Sequence, residues 1–279
     1  MHTMKLNTLF AFFFLQLLAM TASAQSVTTD DFRLRELTFE EPCGSFHNYQ
    51  SMYKVECDYP MDAEPAAEAI RHWINQTANY WNKGLYEGDM LQPMQLFQHY
   101  MEHFKAENSS EKIERHMVEE SGKTSEKIDW NENNEPTWLT TFTYKKEYGS
   151  PYIISYSFAW FGYFVGNATS NATKVDATFS RLDGRQLSWE MFTSKDAVCD
   201  MVRNALKEKY GSSADLYGNG IPDPKAPLFL GDGVRFDYGN YSVAQAHYFE
   251  ENGEYPYAFL SYDQLSNLLT PEAKKMLQK

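Results

Sequence analysis

The chain has 279 residues, 43% hydrophobic and 23% charged, with 25 Lys and Arg against 38 Asp and Glu and a formal net charge of -13. A mean hydropathy of -0.57 excludes a polytopic membrane protein, and an aromatic content of 16% excludes a disordered chain. Phosphate contacts need Lys and Arg, so so acidic a chain is expected to bind neither nucleic acid nor an anionic membrane surface.

Residues 1–24 read as a secretory signal peptide. Lys5 supplies the positive start, Leu9 to Met20 is apolar except for Gln16, and Ala22-Ser23-Ala24 is the small-x-small pattern that precedes cleavage. The run is short of the ~20 apolar residues a membrane span needs. No later stretch is long enough either, and no Cys follows the run to carry a lipid anchor. The expectation is a periplasmic or secreted protein, with no membrane span after cleavage before Gln25.

Residues 32–41 and 46–59 have strand character, and Phe32-Arg-Leu-Arg-Glu-Leu-Thr-Phe alternates cleanly. Pro60 and Pro65 break that pattern. Ala66 to Lys83 is predicted helical, with Ile70, Trp73, Ile74, Thr77 and Trp81 on one face and Gly84 at its end. A second helix is predicted from Leu91 to Phe104, with Met94, Phe97, Met101 and Phe104 at helical spacing. The polar stretch 106–126 reads as a helix end followed by a loop or a solvated helix.

Strand signals resume at Thr137, and a long strand runs from Tyr152 to Val165. Lys174 to Arg181 continues as a strand, and Asp183-Gly184 is a hairpin signal. A helix is predicted from Asp196 to Tyr210, then a Gly/Pro-rich loop from Gly211 to Pro227. Val234 to Tyr238 and Tyr257 to Ser261 read as short strands. Asp263 is a candidate N-cap for a short helix through Leu269, and Pro271 suits the first position of a last helix. The expected class is α+β, mainly antiparallel sheet strands with helices packed on the sheet.

The three cysteines leave two readings open. Cys43 and Cys57 are able to close a disulfide across a strand pair in an oxidising compartment, worth ~3 kcal/mol in the chain-entropy model. Equally, all three are buried thiols, as Cys199 is expected to be from its place in a helical pattern.

Two stretches carry a resemblance. Tyr156-Ser-Phe-Ala-Trp-Phe-Gly-Tyr-Phe-Val-Gly-Asn-Ala-Thr leads into Ala177-Thr-Phe-Ser-Arg-Leu-Asp-Gly-Arg-Gln-Leu-Ser-Trp-Glu-Met-Phe192. Gly233-Val-Arg-Phe-Asp-Tyr and Tyr255-Pro-Tyr-Ala-Phe-Leu-Ser-Tyr-Asp-Gln-Leu follow. Over roughly residues 150–270 their order and spacing resemble the RsiV-like domain. That domain forms the extracellular part of the RsiV anti-sigma factor and the non-catalytic region of PdaC-type deacetylases. The resemblance implies an α+β fold in two halves, 25–175 and 176–279, and a cell-envelope setting. In RsiV the domain senses lysozyme. The resemblance carries over no ligand-contacting residue.

His99-Tyr-Met-Glu-His103 has the H-x-x-E-H spacing that puts two imidazoles on one helix face, able to share Zn²⁺ with Glu102 as general base. The plainer reading is a surface row on a helix whose other face is core. Asp215 to Asp223 lacks the pattern of a calcium loop. Glu40-Glu41, Glu119-Glu120 and Glu250-Glu251 are adjacent in sequence, so their side chains diverge. There is no G-x-S-x-G, phosphate loop or dinucleotide fingerprint. Tyr156, Trp160 and Tyr163 are the candidate ligand-contacting residues, since aromatic rows stack on sugar rings; the same alternation also describes a buried sheet face. Asn167-Ala-Thr169 matches a glycosylation sequon, which has meaning only in a eukaryotic source.

The expectation drawn from these readings is a non-enzymatic cell-envelope binding protein without cofactor. Its partner is a lysozyme-like protein or a peptidoglycan glycan. The alternatives are a secreted metal-dependent hydrolase using His99, Glu102 and His103, and an accessory subunit.

Overall fold

The computed structural model describes residues 31–46, 49–81, 93–107, 109, 111, 114–115, 118–119, 136–164, 171–215, 218, 220–238 and 255–278. The expected leader, much of the polar stretch 106–126 and the Asn167-Ala-Thr169 sequence lie outside the described residues. No described helix is long and apolar enough to cross a membrane.

Strands β1 (Leu34–Phe46) and β2 (Tyr49–Pro60) form an antiparallel hairpin. Helix α1 (Pro65–Trp81) buries Ile70, Trp73, Ile74 and Thr77, the stripe expected from its spacing. Helix α2 (Pro93–Glu107) buries Leu96, Phe97, Tyr100 and Met101. Strands β3 (Pro136–Gly149), β4 (Ile153–Phe164), β5 (Asn171–Ser180) and the short β6 (Gln186–Leu187) complete a six-stranded sheet in the order β1-β2-β3-β4-β5-β6. Every pairing is antiparallel except β2–β3, which is parallel. A parallel pair needs a crossover, and residues 61–135, which carry α1 and α2, supply it.

Helix α3 (Lys195–Tyr210) is N-capped by Ser194. Strands β7 (Leu228–Phe229), β8 (Gly233–Asp237) and β9 (Tyr257–Ser261) form a second, antiparallel sheet. Helices α4 (Tyr262–Leu265) and α5 (Pro271–Leu277) follow. The N-cap of α4 is Ser261 rather than the expected Asp263. Gln264 explains the difference: its side chain returns to the Ser261 backbone N–H, closing a reciprocal box that Asp263, in the first turn, is not placed to make. Pro271 opens α5 as expected, behind a Thr270 cap.

Two hydrophobic clusters lie on opposite faces of the large sheet. One face presents Val55, Phe142, Tyr144, Tyr156, Phe158 and Phe179 to α1 and α2. The other presents Ile153, Ser155, Ser157, Asp176 and Thr178 toward the second sheet. There β7 is held by side chains. The Ser155 hydroxyl donates to the Phe229 carbonyl at 2.5 Å, and Thr178 Oγ1 accepts from the Phe229 N–H at 3.2 Å. The expected division between residues 175 and 176 falls inside β5, so the large sheet continues past it.

Candidate functional site

Among the described residues, five ionisable groups meet where the two sheets face each other, three from the large sheet and two from the second. In β5, Lys174 and Asp176 are two residues apart and share a face, as do Arg235 and Asp237 in β8. The fifth, Glu147, is the extra residue of a β-bulge: Lys146 pairs with Tyr156 and Tyr148 with Ser155, leaving Glu147 without a ladder partner. A bulge re-aims its residue, and Glu147 meets Ser157, whose hydroxyl donates to it at 2.6 Å.

The contacts cross between the sheets. Lys174 Nζ lies 2.9 Å from Asp237 Oδ2, 3.9 Å from Asp176 Oδ1 and 4.0 Å from Glu147 Oε1. Arg235 reaches the same Asp237 oxygen at 3.0 Å through Nε and Glu147 at 3.5 Å through Nη2. The Lys174 side chain is 7% exposed and those of Asp176 and Asp237 4% each, while Arg235 at 17% and Glu147 at 25% form the outer edge of the group.

Enclosure at that level raises the cost of a charge on Lys174, Asp176 and Asp237, so their proton positions matter. Burial and the neighbouring Asp237 carboxylate push Asp176 well above the usual carboxylate range. Burial acts on Asp237 in the same direction, but Lys174 and Arg235 outweigh it and hold Asp237 below that range. Glu147 is also lowered: burial raises it, and Lys174, Arg235 and the Ser157 hydroxyl overcome that. Lys174 keeps its proton, because Asp237 and Asp176 outweigh the burial that would remove it. Three carboxyls share two cations in this ensemble. Among the described residues Asp176 Oδ1 has no hydrogen-bond partner, and Arg235 Nη2 has only its 3.5 Å ion pair with Glu147.

The residues singled out from the sequence sit elsewhere. Tyr156 is fully buried, donates its hydroxyl to the Asp58 carbonyl at 2.9 Å, and packs edge-on against Trp73. It belongs to the core under α1, and the ligand-contacting role expected of it is corrected. Trp160 is half-buried and stacked on Trp81 at 5.4 Å between centroids, with Tyr80 edge-on to Trp81 and largely exposed. The Tyr163 side chain lies outside the described residues.

Cys43 and Cys57 are free thiols. Cys57 pairs with Leu37, whereas Cys43 lies at the irregular step opposite Ser51 and Met52, five positions further along β2. That separation is about 17 Å at strand rise, against the ~7 Å limit for a disulfide, so the proposed bridge does not form. Burial pushes the Cys43 thiol up to about 11 and raises Cys57 further, leaving both poor nucleophiles. Cys199 is buried in α3, as expected.

His99, Glu102 and His103 lie on the outer side of α2, and Glu102 pairs with Lys105 at 3.7 Å. Among the described residues no group of three His, Cys, Asp or Glu side chains is placed to hold a metal ion. In the Asp215–Asp223 loop, Asp215 caps the Gly220 N–H at 3.0 Å and Asp223 pairs with Arg203 at 2.6 Å, so both carboxylates have local structural partners.

The charge ensemble was not anticipated from the sequence. Its signal was the pair Lys174-x-Asp176 and Arg235-x-Asp237, opposite charges at strand period flanked by apolar residues. A shallow depression of about 60 Å³ lined by Tyr148, Tyr152, Ile153, Leu230 and Met276 includes none of the five. Sites for drug-sized ligands run to ~300–1,000 Å³.

No family model matches the chain, and no curated protein matches it. Solved structures do. A crystal structure of a DUF3298 family member from Bacteroides fragilis aligns over 90% of this chain and 99% of its own, with a TM-score of 0.66 at 15% identity. A DUF3298 family protein from Pseudomonas aeruginosa aligns over 88% and 97%, with a TM-score of 0.58 at 13% identity. DUF3298 is the RsiV- and PdaC-type domain, so the resemblance read around residues 150–270 holds at the level of fold.

Proposed function

We propose that this chain is a periplasmic or secreted, non-enzymatic binding module of the cell envelope, and that its ligand is a basic protein of the lysozyme kind. The observation that carries the reading is where the charge surplus lies. The enclosed ensemble holds three carboxyls against two cations, so all but one of the surplus negative charges in the formal -13 belong to the rest of the chain. A surplus outside the enclosed ensemble steers a cationic partner, and its effect is strongest at low salt. The most perturbed acids and bases are already occupied with one another, which favours binding over proton-transfer chemistry.

A glycan is the competing ligand, and the corner formed by Tyr80, Trp81 and Trp160 would be its platform, since exposed aromatic faces stack on sugar rings. The test uses two baits, a basic lysozyme and insoluble peptidoglycan, with the full-length mature protein at low and at raised salt. Saturable capture by lysozyme that weakens with salt is expected. Salt-insensitive capture by peptidoglycan, lost in Trp160→Ala, would replace the protein ligand with a glycan. Capture by neither would remove the binding reading.

A further inference from the structure

The cross-sheet ensemble has one carboxyl more than its two cations neutralise, and the geometry identifies which. Asp237 takes both cations on one oxygen, at 2.9 Å from Lys174 and 3.0 Å from Arg235. Glu147 takes the Ser157 hydroxyl at 2.6 Å and Arg235 at 3.5 Å. Asp176 has its nearest cation at 3.9 Å, and its Oδ1 accepts no hydrogen bond. Lys174 Nζ stands between the two aspartates, 3.9 Å from Asp176 and 2.9 Å from Asp237, so Asp176 meets the carboxylate that already holds both cations. Two enclosed carboxyls beside one another, with both cations drawn to one of them, favour a proton on the other.

Among the described residues, the charged and titratable groups facing Asp176 fit that assignment. Lys174 comes from its own strand, Arg235 and Asp237 from β8, and Glu147 from the bulge of β3. Ser157 stands beside it on β4, and Tyr255 borders Asp237 as a neutral phenol raised by burial and by that carboxylate. None of them supplies a third positive charge.

We propose that the two sheets are held by a proton-dependent clasp, in which one proton retained between Asp176 of β5 and Asp237 of β8 keeps the layers docked, and its loss as pH rises loosens β8 from the large sheet. With the proton in place the enclosed ensemble is neutral. Without it, two carboxylates face each other in a space that excludes water, and the repulsion acts along the line joining the sheets. The folded state binds this proton more tightly than the open chain does. The clasp is therefore complete below the ordinary carboxylate pKa and weakens as pH rises toward the folded value. The device is independent of which partner the protein binds.

The test is amide hydrogen exchange on the full-length mature protein across about pH 5 to about pH 8, read as protection factors so that the intrinsic pH dependence of exchange cancels. Protection of the β8 and β9 amides is expected to fall by at least about tenfold over that range, while the β3–β4 amides change less. Asp176→Asn keeps a donor to Asp237 without a titratable proton, and is expected to flatten that fall to less than about threefold. A fall of the same size in Asp176→Asn would overturn the proposal. Because this variant changes a buried site, the second measurement uses the unaltered protein: a carboxyl carbon NMR titration of Asp176. A protonated Asp176 at neutral pH is expected, and titration in the ordinary range near ~4 would overturn the clasp whatever the variant does.

Discussion

Arg181 grips Glu64 through two prongs, Nε at 2.9 Å from Oε1 and Nη2 at 2.7 Å from Oε2. Its third nitrogen, Nη1, reaches Asp31 at 3.0 Å and the Ser150 carbonyl at 3.2 Å. One guanidinium thus ties the end of β5 to the residue before α1, to the start of the described chain and to the β3–β4 turn. The Arg181 and Glu64 side chains are 12% and 24% exposed, so water screens that pair little, whereas Asp31, 83% exposed, adds little. Arg181→Ala is expected to cost about 2–4 kcal/mol, because it leaves Glu64 and the Ser150 carbonyl partly covered and unpaired. Arg181→Lys should recover less than half of that, since an ammonium lacks the planar fork. Urea unfolding of the three proteins measures both.

The acid side of the stability profile has its own probe. Asp62 accepts from the Arg33 backbone N–H and from Arg33 Nε, both at 2.6 Å. Partial burial opposes ionisation, but those Arg33 contacts prevail and hold the carboxyl below its usual range. A carboxyl lowered on folding contributes stability in full above the ordinary pKa and loses it as pH falls toward the folded value. Asp62→Asn should therefore give a shallower decline between about pH 4 and about pH 2, with a change of roughly 1 kcal/mol at neutral pH. Unchanged steepness in the variant would place the acid sensitivity elsewhere.

Gly184 is the clearest backbone requirement. Its φ is 73°, and a Cβ there would stand 2.6 Å from the Pro65 carbonyl oxygen. Both the left-handed backbone and the contact with α1 oppose a side chain. Gly184→Ala is expected to lose about 2–3 kcal/mol, more than the conformational preference contributes by itself. A loss under about 1 kcal/mol, by thermal or chemical unfolding, would mean that the turn shifts without resistance.

For the two histidines of α2 the expectation is silence. His99→Ala and His103→Ala should each change stability by no more than about 0.5 kcal/mol, as surface changes do, and leave the metal content of the purified protein as it was. Stoichiometric zinc that disappears in either variant would revive the hydrolase reading. The check is elemental analysis of the three proteins side by side.

Local patterns were legible where one face of an element met one core. The stripe of α1, the Asp183-Gly184 turn and Pro271 at the start of the last helix are legible because period and φ are properties of neighbours in sequence. The same alternation in β4 offered two meanings for Tyr156 and Trp160, and only the helices packed across the crossover decide that Tyr156 is core. The Cys43–Cys57 bridge failed on register, which sequence separation does not fix. The charge ensemble was hidden for a related reason. Lys174, Asp176, Arg235 and Asp237 each look like a solvated strand residue until the second sheet docks on the first, and Glu147 faces them only because of a bulge.

The single parallel pairing, β2 with β3, sets the order in which this chain is able to assemble. Residues 61–135 separate the two strands, so their ladder forms only after a long loop closes, and the entropy of that closure is spent before any of its contacts exist. The β3–β4–β5 meander has no such delay, because its consecutive strands are close in sequence and pair directly. The hairpin β1–β2 is equally local. Refolding should thus show two early structured regions and one late joining step, with α1 and α2 gaining protection only when that step completes.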